Sequence, residues 1–346
     1  MAALATSVPK RALVVAPSWV GDAVMASAAF RALRAAWHGT HIALLCRPGI
    51  DQVLAGLPFF DEIIVDRMAG VFGPIRRGAA LRRRRFDCAV LFPNSFRTAL
   101  AARFAGIPRR VGYARDGRGR LLTQAIEPPP RGSPASTVDY YSDLVERGLG
   151  ITIRDRAPAL ALTDAERAAG TMVLSGVPSE YAVLVPGGSR EQKRWPADRF
   201  ARVAEHLARR HGLAVVATGS PNERSVIDAM RGASSEDIVD LSARGIDLGA
   251  LKAVISGAAI VVTNDTGPRH LAAAFRVKTV ALFGPTDHRW TILAGVPERL
   301  IVAEPFLPEE LVADDRPEFC AIDRISVGDV VAAVDAMLRT NATLER

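Results

Sequence analysis

Three loop-like stretches hold the residues whose types and spacing could do chemistry. Pro17-Ser18-Trp19-Val20-Gly21-Asp22 joins a β-branched apolar run to an alanine-rich segment, so Asp22 stands at a helix start. A carboxylate there is either an ordinary cap for exposed backbone N–H groups or, at the mouth of a groove, the acceptor of a proton from an incoming hydroxyl. Pro186-Gly187-Gly188-Ser189-Arg190-Glu191-Gln192-Lys193-Arg194-Trp195-Pro196 combines two glycines and a serine with two cations. Bare backbone and a hydroxyl can approach a phosphate closely, and Lys193 and Arg194 oppose its charge. In Thr263-Asn264-Asp265-Thr266-Gly267-Pro268-Arg269-His270 a proline opens a helix. The free N–H groups of that helix form a ready site for a pyrophosphate, to which His270 can also donate. Glu223, five residues beyond Thr218, either accepts both ribose hydroxyls or merely starts a helix.

These loops need strands before them and helices after them, and the hydrophobic pattern predicts both. Short apolar runs alternate with Ala/Leu/Arg-rich segments of helical period, the pattern of parallel sheets with crossover helices. In the first half, strands are predicted over Ala12–Ala16, His41–Cys46, Glu62–Asp66 and Cys88–Phe92, with helices over Asp22–Trp37 and Ser95–Ala105. In the second, strands are predicted over Tyr181–Val185, Ala214–Thr218, Ile238–Leu241, Ala259–Thr263 and Thr279–Phe283. Their helices are Pro196–His211, Asn222–Arg231, Leu248–Ser256 and Pro268–Phe275. Pro128-Pro129-Pro130 and Gly132-Ser133-Pro134 form a linker-like loop before a helix near Val138–Arg147. The expected division is a first α/β domain over 1–155, a second over 156–325, and a closing helix within 326–346. Ligands in open parallel sheets bind beyond the carboxyl ends of the strands, where all three loops fall.

Composition narrows the partners. The 346 residues are 49% hydrophobic, 23% charged and 6% aromatic, a soluble globular balance long enough for two cores. Net charge is +7, and residues 1–150 hold 21 Lys/Arg against 11 Asp/Glu, while the remainder holds 23 against 26. A basic first half implies an anionic partner: nucleic acid, a membrane surface, or a phosphorylated or carboxylated substrate. Nucleic acid is disfavoured, because the basic half lacks interleaved aromatics and any recognisable binding module. No G-x-G-x-x-G follows the first strand and no P-loop occurs anywhere, which argues against a dinucleotide dehydrogenase and an NTPase. Cys46, Cys88 and Cys320 show no C-x-x-C spacing and read as reduced and structural. With no signal-like h-region and no long uncharged apolar run, a cytoplasmic, monomeric protein that touches a membrane only peripherally is expected.

Together the loops resemble the ADP-heptose:lipopolysaccharide heptosyltransferases, inverting glycosyltransferases of GT-B fold with two Rossmann-like domains facing across a groove. Pro17–Asp22, Pro93-Asn94-Ser95-Phe96-Arg97-Thr98-Ala99-Leu100, Lys193-Arg194-Trp195-Pro196, Thr263–Gly267 and Phe283-Gly284-Pro285-Thr286 carry the resemblance across nearly the whole chain. Trp-Val-Gly-Asp and Pro-Asn-Ser-Phe look most like the heptosyltransferase II branch. The resemblance implies that Asp22 is the general base and that Lys193 stabilises the departing diphosphate. It implies an ADP-heptose donor held by Gly187, Gly188, Ser189, Arg194, Glu223, Asp265, Thr266, Gly267 and His270. The acceptor side falls to Ser18, Trp19, Asn94, Arg97 and Arg110. The implied acceptor is an anionic, Kdo-bearing lipid A glycolipid at the inner face of the inner membrane. The basic residues Arg76, Arg77, Arg82–Arg85, Arg97, Arg109, Arg110, Arg115, Arg118 and Arg120 are expected to serve acceptor and membrane surface. No cofactor and no metal are expected, since the chain has no Asp-x-Asp triplet and cations with a helix N-terminus can hold a diphosphate instead. Pro268-Arg269 departs from the family's usual apolar pair, which makes Arg269 a further candidate phosphate contact. The alternatives are another GT-B transferase or nucleotide-sugar epimerase and, from a different class, a basic nucleic-acid-binding protein.

Overall fold

The computed structural model describes residues 8–130, 136–285, 287–304, 306 and 320–339. The linker residues Gly132-Ser133-Pro134, as well as Thr286, lie outside the described residues. The chain divides into two compact units, Met1–Ala161 and Leu162–Arg346.

The first unit holds six parallel strands: β1 (Arg11–Val15), β2 (His41–Cys46), β3 (Glu62–Val65), β4 (Cys88–Leu91), β5 (Arg109–Tyr113) and β6 (Gln124–Ile126). They lie in the order β3-β2-β1-β4-β5-β6. Its helices are α1 (Val20–Met25), α2 (Ser27–Ala36), α3 (Ile50–Leu54), α4 (Gly73–Arg82), α5 (Phe96–Phe104) and α6 (Thr137–Leu149). The central pair β1 and β4 runs in register from Ala12 opposite Cys88 to Val15 opposite Leu91. Every residue of β4 is buried, as a strand covered by helices on both faces requires. The single helix expected over Asp22–Trp37 is two, meeting at Ala26. Ser27 marks the join: its hydroxyl donates to the Val24 carbonyl at 2.6 Å and accepts the Ala159 N–H at 2.8 Å. A serine hydroxyl that takes a backbone carbonyl competes with the helix ladder in this way. Ser95 caps α5 by accepting the Thr98 N–H.

The second unit repeats the scheme with β7 (Tyr181–Val185), β8 (Ala214–Ala217), β9 (Ile238–Asp240), β10 (Ile260–Asn264), β11 (Thr279–Phe283) and β12 (Glu298–Val302). The order is β12-β11-β10-β7-β8-β9, all parallel. Its helices are α7 (Asp164–Val173), α8 (Ala197–His211), α9 (Arg224–Ala233), α10 (Leu248–Ser256), α11 (Gly267–Ala274) and α12 (Val327–Arg339). The closing helix α12 buries Val330, Ala333 and Val334 in this unit's core, beside Trp195 and Phe200. Trp195 is fully buried, and its indole N–H donates to the Ile325 carbonyl at 3.0 Å. Asp335 clips α12 to α8 by accepting from His206 at 2.7 Å and His211 at 2.8 Å, which holds its carboxyl down at about 2.

In each sheet the first three strands run outward one way, and the fourth starts back on the other side of the first. The order therefore reverses between β1 and β4 and again between β7 and β10. Those reversal points are where loops splay apart and leave a crevice beyond the strand ends.

Candidate active site

In the first unit a cavity of about 890 Å³ opens at the reversal point. Ser18, Trp19, Asp22, Asn94 and Arg97 all line it, so five of the six first-unit residues singled out by sequence come together. Asp22 is the third residue of α1, whose capping position is Trp19 with no side-chain cap. Among the described residues no donor reaches the Asp22 carboxylate, and burial pushes its pKa up to about 6. Capping duty is thus not its role here. Tyr141 lies beside it, its hydroxyl held well above the ordinary range by burial first and by the Asp22 charge second. Trp19 stands 73% exposed on the rim, a large ring free to cover a ligand.

The neighbouring loop is set by a residue that sequence reading assigned to the surface. Arg118 is fully buried, and its guanidinium donates to the carbonyls of Tyr113 and Pro93 and to Asn94 Oδ1 at 3.4 Å. Asn94 Nδ2 in turn donates to the Tyr140 hydroxyl at 2.9 Å. Desolvation lowers the Arg118 pKa to about 10, still far above neutrality, so the group remains a cation that fixes the Pro93–Asn94 backbone. Arg97 donates to the Gly70 carbonyl and steadies the loop after β3. Arg110 is the exception. It does not line the cavity, and its guanidinium is committed to the carbonyls of Leu121 and Ile107, a brace between β5 and the turn before β6. Arg77 and Asp66 also line the cavity and pair at 2.5 Å. Asp66 directly follows β3, so the rule about strand ends pointed to it although no motif did.

In the second unit the reversal point gathers the other set. Asn264, at the end of β10, donates from Nδ2 to the carbonyls of Pro186 and Gly187, both at 2.9 Å, and accepts from Trp195 N at 3.3 Å. It ties the loop after β7 to the loop after β10, and sequence reading had given it no role. Gly187 packs against the Glu223 carboxylate so closely that a Cβ would collide with it. Glu223 is held by Ser220, whose N–H and hydroxyl both donate to Oε2 at 2.7 Å. Arg194 Nε donates to the Gly188 carbonyl at 2.9 Å and so shapes the glycine turn. Ser189 is exposed at its tip, and the Lys193 ammonium forms no ion pair among the described residues.

Gly267 and Pro268 open α11, and its capping residue Thr266 makes no side-chain cap, which leaves the helix N–H groups available to an anion. His270 is 4% exposed with Nδ1 unpartnered, and burial followed by the Arg269 charge holds it well below the usual imidazole range. It is a neutral ring at this site. Arg269 is corrected outright as a phosphate contact. It is fully buried, doubly bonded to Glu298 at 2.6 and 2.8 Å, paired with Asp265 at 3.3 Å and stacked 4.7 Å from the Phe283 ring centre. The side chain that replaces the usual apolar one is neutralised internally, and it orients Asp265.

Paired sheets of this order, with ligand loops at both reversal points, are the architecture of GT-B glycosyltransferases. The chain is 30% identical to lipopolysaccharide heptosyltransferase 2 of Escherichia coli K12 over 81% of its own length and 84% of that protein's. The solved structure of E. coli ADP-heptose LPS heptosyltransferase II superposes with a TM-score of 0.80 at 26% identity, covering 95% of this chain and 98% of that one. A glycosyltransferase family 9 structure from Veillonella parvula shares the fold with a TM-score of 0.83 at 21% identity, over 96% and 98% of the two chains. The family model for glycosyltransferase family 9 (heptosyltransferase) matches residues 75–304, and the chain belongs to that family.

Proposed function

We propose that this chain transfers L-glycero-D-manno-heptose from ADP-heptose to the inner core of lipopolysaccharide, as a heptosyltransferase II-type enzyme. The observation that carries the mechanism is the Asp22 carboxylate, uncapped on the cavity wall with its pKa pushed up to about 6. Asp22 accepts the proton of the acceptor hydroxyl as that oxygen forms its bond to the anomeric carbon. The bond from that carbon to the diphosphate breaks, and ADP departs with the electron pair from the opposite face, which inverts the configuration. Charge growing on the diphosphate is met by Lys193 and by the open N-terminus of α11. Gly187 and Gly188 admit the phosphates, Ser189, Thr266, Gly267 and His270 complete that cradle, and Glu223 takes the ribose hydroxyls. Arg194 and Asp265 act by shaping the loops.

Ser18, Trp19, Asn94 and Arg97 receive the acceptor sugar, an anionic Kdo-bearing glycolipid. No metal is required in this reading, because the cationic groups occupy the role of a divalent ion. The enzyme works as a monomer against the inner face of the inner membrane. No helix among the described residues is long and apolar enough to cross a membrane. The basic first unit would instead meet the bilayer from outside.

The test is incubation with ADP-heptose and a set of truncated core acceptors, with products weighed by mass spectrometry. One heptose mass is expected on one acceptor in the presence of a chelator, and Asp22→Asn should lose at least about a thousandfold in kcat while ADP binding stays intact. An Asp22→Asn variant that transfers at the original rate would refute the assignment of the base, and turnover with UDP-sugars alone would refute the donor.

A further inference from the structure

The lipid contact of the proposed reaction can be assigned to a particular surface. From Arg67 to Phe86 the chain carries seven arginines and no acidic residue. Arg77 and Arg84 in this stretch are paired, with Asp66 and Glu62. Arg76, Arg82, Arg83 and Arg85 are exposed, with no ion pair among the described residues. Large apolar side chains stand exposed in the same segment: Val71 at 82%, Phe72 at 69% and Ile75 at 44%. Phe104, on the neighbouring α5, is 45% exposed and joins Ile75, Ala79, Arg82, Arg83 and Arg85 around a shallow depression. Val71 and Phe72, just before α4, have no polar reason to be exposed, and Arg76, Arg82, Arg83 and Arg85 have no ion pair among the described residues. Both features are satisfied together at an interface that is apolar inside and anionic at its edge.

We propose that the outer face of α4, led by Val71 and Phe72 and flanked by Phe104, is the surface by which the first unit docks on an anionic bilayer. Val71 and Phe72 enter the headgroup boundary, and Arg76, Arg82, Arg83 and Arg85 meet lipid phosphates. The proposal rests on the transferase reading for its purpose, because a lipid-anchored acceptor must bring its sugar to Asp22 without leaving the membrane. The fold satisfies that constraint. Met68, Ala69 and Gly70, immediately before Val71, line the same cavity as Asp22, so the apolar tip sits at the cavity's edge. Nor is the surface free to swing away: α4 packs on α5 with Gly78 against Phe104 and Ala101, and Gly73 near Arg97. A second copy of the chain is a poor occupant, since a two-fold contact would set these arginines against themselves. Nucleic acid would find stacking faces in Phe72 and Phe104 but would leave the aliphatic Val71 and Ile75 in water, whereas a headgroup boundary covers all four.

The experiment uses the full chain and two kinds of vesicle, phosphatidylglycerol mixed into phosphatidylethanolamine and phosphatidylcholine alone. Sedimentation should carry the protein down with the first and leave it in solution with the second. Each exposed arginine is worth about a fivefold change in partitioning at low salt. Arg82→Glu with Arg83→Glu should therefore weaken binding at least about twentyfold. Val71→Asp with Phe72→Asp should weaken it at least tenfold at a salt concentration where wild type still binds. Circular dichroism confirms that both variants are folded, and both should transfer heptose to a lipid-free acceptor at the wild-type rate while failing on the same acceptor embedded in vesicles. Binding of the Val71→Asp/Phe72→Asp variant as tight as wild type, or equal binding of wild type to both vesicles, would overturn the proposal. Vesicle binding requires no donor. Absence of transfer to every acceptor with vesicle binding intact would therefore count against the transferase reading and not against this surface.

Discussion

At the scale of single residues, Asp22 carries opposing demands. A base must be ionised to accept a proton, so with its carboxyl pushed up to about 6 transfer should climb about tenfold per pH unit below that value and level off above it. Stability runs the other way. The folded-state pKa lies above the ordinary value of 3.8, so folding favours the protonated form. That contribution is complete below about pH 4, where both states are protonated, and is lost as pH rises through about 6. Asp22→Asn removes the buried charge. It should match wild type near pH 4 and exceed it by about 1–3 kcal/mol at pH 8 in urea unfolding. Equal stability at pH 8 would mean that the carboxylate is solvated after all. Arg118 and Arg269 teach the complementary lesson. Both are basic in the sequence, and both are buried and consumed by internal acceptors, so neither is available to a ligand.

At the scale of elements, the packing of α4 on α5 decides whether the loop after β3 keeps its place at the cavity. Gly78 is the contact point: a Cβ there would lie 2.5 Å from the Phe104 Cβ and 2.9 Å from the Ala101 carbonyl oxygen. In an exposed helix Gly→Ala gains about 1 kcal/mol from propensity. Overpacking against a backbone carbonyl costs about 1–3 kcal/mol, and it cannot be relieved by a rotamer change. The overpacking term is the larger, so Gly78→Ala should lower stability by up to about 2 kcal/mol in denaturant melts, and a stabilised variant would show that the helices part easily. α4 was also the element least legible in the sequence, because Gly73, Pro74 and Gly78 interrupt it and the Arg76–Arg77 pair leaves no clear amphipathic stripe. β5 and β6 were hidden for a related reason. The strand Arg109–Tyr113 opens with two arginines and includes a glycine, and Gln124–Ile126 is only three residues long. Central strands such as Tyr181–Val185 and Thr279–Phe283 were legible to the residue, since burial on both faces demands an unbroken apolar run. The site followed the same division. Loops at strand ends could be read from the pattern, whereas Asn264 and Arg118 act through contacts between distant segments that no local pattern encodes.

At the scale of the whole molecule, the segregated charge and the two cores have separate consequences. The first 150 residues carry a net +10 by count of 21 basic against 11 acidic side chains. Much of that charge is spent on internal bonds, by Arg31, Arg34, Arg110 and Arg118 among others, and the densest exposed group that remains is Arg76, Arg82, Arg83 and Arg85, on α4 and just beyond its end. Each unit has a core of its own, one around Leu13, Ala89 and Leu91 and the other around Trp195, Phe200 and Val262. Every residue proposed to bind the donor belongs to Leu162–Arg346, so the stabilisation that donor binding confers enters through that unit. By linkage, ADP at a hundred times its dissociation constant should add about 2.7 kcal/mol to the folding of the unit that binds it. Hydrogen exchange under native conditions reads the two units separately. Protection should rise by about a hundredfold in β7, β10 and α11 on adding ADP, and stay unchanged in β1 and β4. Equal protection in both sheets would mean that the units unfold as one, and protection confined to β1 and β4 would move the nucleotide to the first unit and reverse the assignment of donor and acceptor.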